Sequence, residues 1–341
     1  MRLTRPALAI AAALGLSLLA ACGSTNPSPG ATSTAAQSGA AGATSAASTP
    51  LPGAVGIDAV SATGPVDFTT APKVEFAKKP VSTSTVTSKA LVKGSGPAST
   101  AKDTVVVRAQ IFNGTTGKLV DNGYDQGRGA EGFRLGRTDL IKGFAKGLTG
   151  VQKGERIAFT IPPSEAFGSA GNQNIGIGAN DTIVVVADVK DVHTALTEVT
   201  GTQAPSPAGM PKVDFPKGPT QAPTVTIPKT AAPKKTEQAT LVEGTGPTVE
   251  KGQTITAQYH GVLWKDGSVF DSSWQRGEPA DFPIGVGAVI PGWDKTLVGK
   301  KVGSRVLLVI PPADGYGSQG MGDKISGTDT LVFVVDILDA Y

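Results

Sequence analysis

The residues whose types could do chemistry are concentrated between positions 259 and 293 of the 341-residue chain. This stretch combines tyrosine, phenylalanine and tryptophan with an aspartate and an arginine, although aromatic residues make up only 5% of the chain. The two histidines, His193 and His260, are too few for a metal cluster, and no cysteine stands near them. We therefore expect a structural or surface role for both histidines, and neither a metal nor a cofactor.

The local patterns predict the elements that position these residues. Residues 254–259 are predicted to form a strand, and residues 265–268 the hairpin turn that closes it. Residues 288–294 are typical of the start of a short helix. Residues 304–311 and 330–338 predict two further strands, the last rich in β-branched residues. The expected fold class is α+β, an antiparallel sheet wrapped around one short helix with the aromatic side chains between them.

The carboxy-terminal part of the chain also contains an ordered series of short motifs. They are Tyr259-His260-Gly261, Asp266-Gly267, Phe270-Asp271-Ser272-Ser273, Val289-Ile290-Pro291-Gly292-Trp293, Ile310-Pro311-Pro312, Tyr316-Gly317 and Thr330-Leu331-Val332-Phe333. In this order and spacing the series resembles the FKBP-type peptidyl-prolyl isomerases. Chance could supply any one of these motifs, but not the whole series.

The resemblance implies an aromatic binding pocket. Trp293 would form the floor on which a substrate proline ring sits, and Tyr259, Phe270 and Phe333 would form the walls. Outside the family context, the tryptophan and the two phenylalanines would more simply be core residues. Even when the family resemblance is taken into account, Phe282 is assigned to the core.

The resemblance also implies a set of polar and rim positions. Val289 and Ile290 would line the rim, and the Ile290 N–H and the Tyr316 hydroxyl would donate hydrogen bonds to substrate carbonyls. Asp271 would be the polar group near the rotating amide, held by Arg276. Taken alone, Asp271 would more often be a turn or capping residue.

Two further features concern the loop and the lining of this pocket. Ile325 falls in the loop after Tyr316, which would close over the site. Residues 315–320 fit a G-x-G-x-x-G pattern, but no helical apolar period follows, so a flexible loop is predicted and not a dinucleotide site. Ala280 stands where the resemblance places a phenylalanine.

The chemistry implied by the family needs no nucleophile. An X-Pro peptide bond rotates over a barrier of ~18–20 kcal/mol because amide resonance must be broken. The twisted transition state is less polar than the planar amide, so a water-poor aromatic pocket favours it, while hydrogen bonds to flanking carbonyls hold the substrate.

The chain contains a long internal repeat. The sequence PKVEF at 72–76 recurs as PKVDF at 211–215, and LVKGSGP at 91–97 recurs as LVEGTGP at 241–247. A two-copy period of this length indicates tandem domains. The predicted boundaries are a degenerate FKBP-like domain at 72–193, a linker at 194–210 and an FKBP-type isomerase domain at 211–341.

The first copy lacks most of the aromatic lining. Tyr259, Phe270, Trp293 and Tyr316 correspond to Ala109, Val120, Phe144 and Phe167, whereas Asp121 and Ile141 match Asp271 and Ile290. We expect the first copy to adopt the same fold but to isomerise poorly.

The amino-terminal residues predict export. Residues 1–21 have a positive start (Arg2 and Arg5) and a short apolar core, as a secretory signal does. Cys22 is the only cysteine, and its surroundings resemble the lipobox of bacterial lipoproteins. Ordinary cleavage before Cys22, or a buried free thiol, are the alternatives. Residues 22–71 are assigned to the lipidated cysteine and a disordered tether.

Charge and composition restrict the partners. The formal charge is +3, on 31 basic and 28 acidic residues, which does not indicate a nucleic-acid partner. The expected protein is an extracytoplasmic, lipid-anchored monomer that isomerises proline-containing exported or unfolded polypeptides, with the activity mainly in the second copy. The alternative is a chaperone or protein-binding module of the same fold without turnover.

Overall fold

The computed structural model describes residues 48–215 and 220–341. The predicted signal peptide, Cys22 and the first part of the tether lie outside the described residues. The chain divides into two compact units that meet between His193 and Thr194. Within the described ranges, no helix has the length and apolar character needed to cross a membrane.

The described part of the first unit contains one short α-helix, α1 (Lys142–Leu148), and eight strands. The strands are β1 (Val60–Thr63), β2 (Lys73–Phe76), β3 (Thr87–Val92), β4 (Asp103–Asn113), β5 (Leu119–Asn122), β6 (Glu131–Arg134), β7 (Arg156–Ile161) and β8 (Ile183–Thr194). Six of them form one sheet in the order β3-β7-β8-β4-β5, with β6 also paired to β4, while β1 and β2 form a separate two-stranded sheet.

The second unit repeats this plan. Its strands are β9 (Lys212–Asp214), β10 (Thr224–Thr226), β11 (Glu237–Val242), β12 (Thr254–Leu263), β13 (Val269–Ser272), β14 (Ala280–Pro283), β15 (Arg305–Ile310) and β16 (Leu331–Ala340), and its helices are α2 (Ser273–Arg276) and α3 (Pro291–Leu297). The main sheet has the order β11-β15-β16-β12-β13, with β14 paired to β12. The predicted α+β fold, an antiparallel sheet around a short helix in each of two copies, is confirmed.

Each short helix lies very close to its sheet, and a glycine makes this possible. A Cβ atom added at Gly292 of α3 would stand 2.6 Å from Cδ1 of Ile310 on β15. At Gly143 of α1, the equivalent atom would stand 2.0 Å from Cγ2 of Ile161 on β7. Any larger residue would push the helix away from the sheet. The side chains that the helix directs towards the sheet would move with it.

Strand β16 shows that the second sheet is buried on both faces. Leu331, Phe333, Val335 and Ile337 pack into the cluster beneath α3. The alternating residues Val332 and Val334 pack into a second cluster on the outer face. This explains why the strand is an almost continuous apolar run and does not alternate with polar residues.

A short hairpin covers each outer face; we call β1–β2 and β9–β10 the strap hairpins. In the first unit, Phe76 packs edge-on against Phe112 of the sheet with ring centroids 5.5 Å apart. In the second unit, Val213 and Phe215 pack with Trp264 in the outer cluster. The repeated PKVEF and PKVDF sequences are therefore strap strands.

Two segments that the sequence assigned to a tether and to a linker are ordered in the structure. Residues 57–71, assigned from composition to the disordered tether, include a 3-10 turn and strand β1, in which Val60 is fully buried. Residues 194–210, assigned to a linker, are hydrogen-bonded to the second unit: Leu196 N–H donates to Leu338 O, and Ala204 N–H donates to Leu241 O. Composition failed here because short, serine- and proline-rich segments become ordered only through the sheet that they cover.

A paired arginine and aspartate lie beneath each strap. In the first unit, Arg156 is bidentate to Asp188, and both side chains are fully buried. The same guanidinium donates to the carbonyls of Gly64 and Pro65, between the two strap strands. In the second unit, Arg305 is bidentate to Asp336 at 2.7 Å. There the ring of Phe215 covers the guanidinium, at 3.3 Å from its Cζ.

We predict that Val213→Ala destabilises the second unit by about 1–3 kcal/mol, because it removes buried strap methyl groups from the outer cluster. Denaturant unfolding followed by tryptophan fluorescence measures this selectively, since Trp264, Trp274 and Trp293 all lie in the second unit. Thr224→Ala, at an exposed strap position, is the matched control. Equal stability of the two variants would show that the strap contributes little.

Candidate functional site

The aromatic side chains of the second unit converge on Trp293. Its ring centroid lies 4.9 Å from that of Phe282, 5.3 Å from that of Phe333 and 5.6 Å from that of Tyr259, each in an edge-on arrangement. Such contacts place the positive edge of one ring against the negative face of another. Trp293 comes from α3, Tyr259 from β12 and Phe333 from β16, so the cluster joins the helix to the centre of the sheet.

Phe270 completes the wall from strand β13. Its ring centroid lies 5.3 Å from that of Phe333. Gly261 leaves room for both rings, since a Cβ there would stand 2.6 Å from Phe270 and 3.1 Å from Phe333. The glycine of the Tyr-His-Gly motif is thus a packing requirement of the site.

The floor of the cluster is buried and nearly apolar. Trp293 is only 3% exposed, and its Nε1–H has no hydrogen-bond acceptor among the described residues. The rim residues Val289, Ile290 and Tyr316 are partly buried and pack against the same cluster.

A compact polar network borders the rings. The Tyr259 hydroxyl donates to Oδ2 of Asp271 and accepts from Nη2 of Arg276 at 2.7 Å. Arg276 also donates to Oδ1 of Asp271. Burial, reinforced by the hydrogen bond to Asp271, raises the pKa of Tyr259 well above its ordinary value. The tyrosine therefore stays a neutral donor, and the carboxylate is fixed by two partners at the mouth of the site.

Three further features lie around this network: the Tyr316 hydroxyl, the Ile290 N–H and the loop that carries Ile325. Burial, together with the negative charge of Asp271, raises the pKa of Tyr316, so its hydroxyl also stays protonated. None of the hydrogen bonds among the described residues uses the Ile290 N–H. Ile325 is 3% exposed within the cluster, and its neighbour Lys324 donates to the Phe270 carbonyl at 3.2 Å. The loop after Tyr316 is thereby attached to the opposite wall.

Phe282 belongs with these rings as much as with the core. It is half-buried and contacts Tyr259 as well as Trp293, with centroids 5.4 Å and 4.9 Å apart. The sequence assignment to the core alone missed this role. The signal was its position two residues after Ala280 in β14, which places both side chains on the same face of the strand.

The corresponding part of the first unit is built differently. Phe144 stacks parallel to Phe133, with centroids 5.4 Å apart and 3° between the planes. Ala109 supplies no hydroxyl to the Asp121 region. Instead, Arg128 pairs with both Asp121 and Glu131, and the guanidinium side chain is 13% exposed against 45% for Arg276. A closed ion-pair network thus replaces the open polar mouth.

The surroundings of His260, the neighbour of Tyr259 on β12, indicate a structural role. His260 is 5% exposed, and its Nδ1 lies 3.1 Å from the Ser272 hydroxyl. Burial lowers the pKa of His260, so the ring is neutral in the folded chain at neutral pH. Within the described ranges, no group of His, Cys, Asp and Glu residues is arranged to hold a metal ion.

Comparison with known proteins identifies relatives for both halves. The family model described as "FKBP-type peptidyl-prolyl cis-trans isomerase" matches residues 96–187 and 246–338. An FK506-binding protein of Streptomyces anulatus is 41% identical over 129 residues, which are 38% of this chain and 94% of that protein. A probable FK506-binding protein of Corynebacterium glutamicum is 37% identical over 35% of this chain and 99% of its own length. The peptidyl-prolyl cis-trans isomerase FKBP10 of Mus musculus is 31% identical over 67% of this chain and 33% of its own length.

We predict that the second unit loses stability as the pH falls below about 6.5, the ordinary histidine pKa. The unfolded chain then binds a proton at His260 that the folded chain resists, which costs at most about 1.4 kcal/mol per pH unit until the lower folded pKa is reached. His260→Gln, which copies Gln110 of the first unit, should remove this dependence in denaturant unfolding followed by tryptophan fluorescence. His193→Gln in the first unit is the control and should leave it unchanged. An unaltered pH dependence in His260→Gln would contradict the assignment.

Proposed function

The chain belongs to the family of FKBP-type peptidyl-prolyl cis-trans isomerases, and from this premise we propose that its second unit catalyses rotation about X-Pro bonds in exported polypeptides. One observation supports the proposal: five rings from four strands and one helix pack together, with the Tyr259–Asp271–Arg276 network at their edge. In the first unit, Ala109 and Val120 stand where the second has Tyr259 and Phe270.

The reaction requires a water-poor site of defined shape, and it requires no proton transfer. The planar X-Pro amide must lose its resonance over a barrier of ~18–20 kcal/mol. A site that binds the twisted, less polar form more tightly than the planar form accelerates the exchange. The apolar floor formed by Trp293 and Phe333 suits the twisted form, because both side chains are almost fully buried and offer little polar surface to solvate the planar amide.

The rim supplies the groups that hold the peptide. The Ile290 N–H and the Tyr316 hydroxyl are donors suited to the carbonyls on either side of the proline. Asp271 lies beside the site of rotation with Tyr259 and Arg276 fixing its position, so its carboxylate can interact with the amide as it twists. Ile325 and Val289 complete the lining.

The proposed location follows from the amino-terminal sequence. The signal-like residues 1–21 and the cysteine at position 22 support export and lipid attachment at Cys22, with the described units outside the membrane. Exported chains arrive unfolded with mixed proline isomers, and uncatalysed exchange takes tens to hundreds of seconds. A monomeric isomerase at the outer surface would shorten that delay.

A second function is favoured for the first unit by its closed ion-pair network. With Arg128 held between Asp121 and Glu131, and with Ala109 in place of Tyr259, this unit would serve as a non-catalytic chaperone or protein-binding module. A refolding assay separates the two roles, because a proline-limited client reports isomerisation and a proline-independent client reports binding.

We predict that Trp293→Ala lowers kcat/KM for a prolyl peptide roughly tenfold or more, which corresponds to at least about 1.4 kcal/mol of transition-state stabilisation. The substitution removes the floor on which the proline ring rests. Asp271→Ala should have a smaller effect, because the ring cluster stays intact. The assay is cis-trans exchange of a prolyl peptide with the full chain.

Trp274→Ala is the matched control, since Trp274 is equally large and buried but packs against Phe215 on the strap side. Thermal unfolding of all three variants separates loss of the site from loss of the fold. If Trp274→Ala and Trp293→Ala lower the activity equally at equal folded fraction, the site is not where we place it.

We also predict that the first unit contributes almost no isomerisation. Adding Phe144→Ala to the Trp293→Ala chain should cause no further loss of activity, because the first unit has Ala109 and Val120 in place of Tyr259 and Phe270. A further fall in exchange rate after the second substitution would show that the first unit is active.

A further inference from the structure

We propose that Asp294 is a positioning residue of the second unit, which holds the loop of residues 285–289 so that the Ile290 N–H faces the peptide. The inference rests on the proposed isomerase function of that unit. Asp294 is the neighbour of Trp293 on α3, but its side chain turns away from the rings and towards the loop.

The Asp294 carboxylate makes two hydrogen bonds to the loop backbone. Its Oδ1 accepts from the Gly285 N–H at 2.7 Å, and its Oδ2 accepts from the Gly287 N–H at 2.6 Å. Hydrogen bonds to a charged acceptor are about twice as strong as those between neutral groups. Both carboxylate oxygens are therefore committed to one short stretch of backbone.

The tip of this loop has little packing to hold it. Ile284, at its start, is fully buried, whereas Val286 at the tip is 55% exposed. Gly285 and Gly287 have φ values of 80° and 78°, in the left-handed region that favours glycine. Two glycines give this turn its conformation at a high entropic cost, so the carboxylate is the group that selects one conformation.

The same residue links the loop to the proposed donor. The Ile290 carbonyl accepts from the Trp293 N–H at 3.0 Å and from the Asp294 N–H at 3.3 Å. Residue 294 thus fixes the chain on both sides of the rim, through its side chain before Ile290 and through its backbone at Ile290 itself. A donor fixed in advance binds a substrate carbonyl without a further loss of conformational entropy.

The first unit provides an internal contrast. Ala145 occupies the equivalent position, with its N–H directed to the Ile141 carbonyl at 3.3 Å, but it has no carboxylate. The loop there is closed by other contacts, with Arg137 Nε donating to Asp139 at 2.7 Å. The unit that lost its aromatic lining also lacks the loop anchor, as expected if the anchor serves catalysis and not the fold.

The test compares Asp294→Ala and Asp294→Asn with Lys295→Ala in the full chain. Lys295 is the next residue on α3, and its ammonium pairs with Asp314 and not with the loop, so its loss should change little. We expect Asp294→Ala to lower kcat/KM for a prolyl peptide about tenfold, mainly through KM. Asp294→Asn keeps one acceptor oxygen and should fall between wild type and Asp294→Ala.

Amide hydrogen exchange tests the loop contact independently of activity. Exchange at Gly285 and Gly287 should quicken in Asp294→Ala while the thermal midpoint stays near that of Lys295→Ala. A rise in KM at an unchanged midpoint is the result that a purely structural role would not give. A kcat/KM within twofold of wild type, unchanged exchange in the loop, or global unfolding of both Asp294 variants would each overturn the inference. If the wild-type chain shows no isomerisation, the proposed function fails separately, and the affinity of the same variants for the prolyl peptide then decides the role of Asp294.

Discussion

The edge-on contacts of Trp293 are the interaction on which the second unit depends. They require α3 to lie against the sheet at a distance that only Gly292 permits, and they require Gly261 to make room for Phe270 and Phe333. The rings are almost fully buried, and under the proposed function this burial would supply the water-poor surroundings that favour amide rotation. The polar groups stand at the edge of the cluster, where they would hold a bound peptide.

The position of these rings depends in turn on a sheet that is buried on both faces. One face of β16 carries Phe333 and lies beneath α3. The opposite, outer face is covered by a strap hairpin over Arg305 and Asp336. The first unit also has a strap hairpin, in which the repeated motif forms the second strand and not the first. Each unit is therefore larger than the segment that the family model matches, 96–187 and 246–338. The straps complete the burial of the sheet on the face away from the rings.

The sequence predicted the main sheet and the short helix of each unit well. Hydrophobic periodicity and the order of the motifs both depend on the residues that pack between the sheet and the helix. It missed the strap hairpins, since their strands are short and β1 lies in a segment whose composition resembles a tether. It also treated Phe282 as core, because a single strand position does not show whether its neighbours form a wall or a floor. The role of Asp294 was beyond reach for the same reason: its two donors, the Gly285 and Gly287 N–H groups, come near it only when the loop folds back onto the helix.

Nuclear magnetic resonance of the full chain with a short prolyl peptide tests the central claim most directly, because it records exchange and contact together. The account predicts that cis and trans peptide signals interconvert faster in the presence of the chain. It also predicts that the indole resonance of Trp293 shifts on peptide binding, while those of Trp264 and Trp274 do not. Unaccelerated exchange, or accelerated exchange that leaves the Trp293 resonance unmoved, would contradict it.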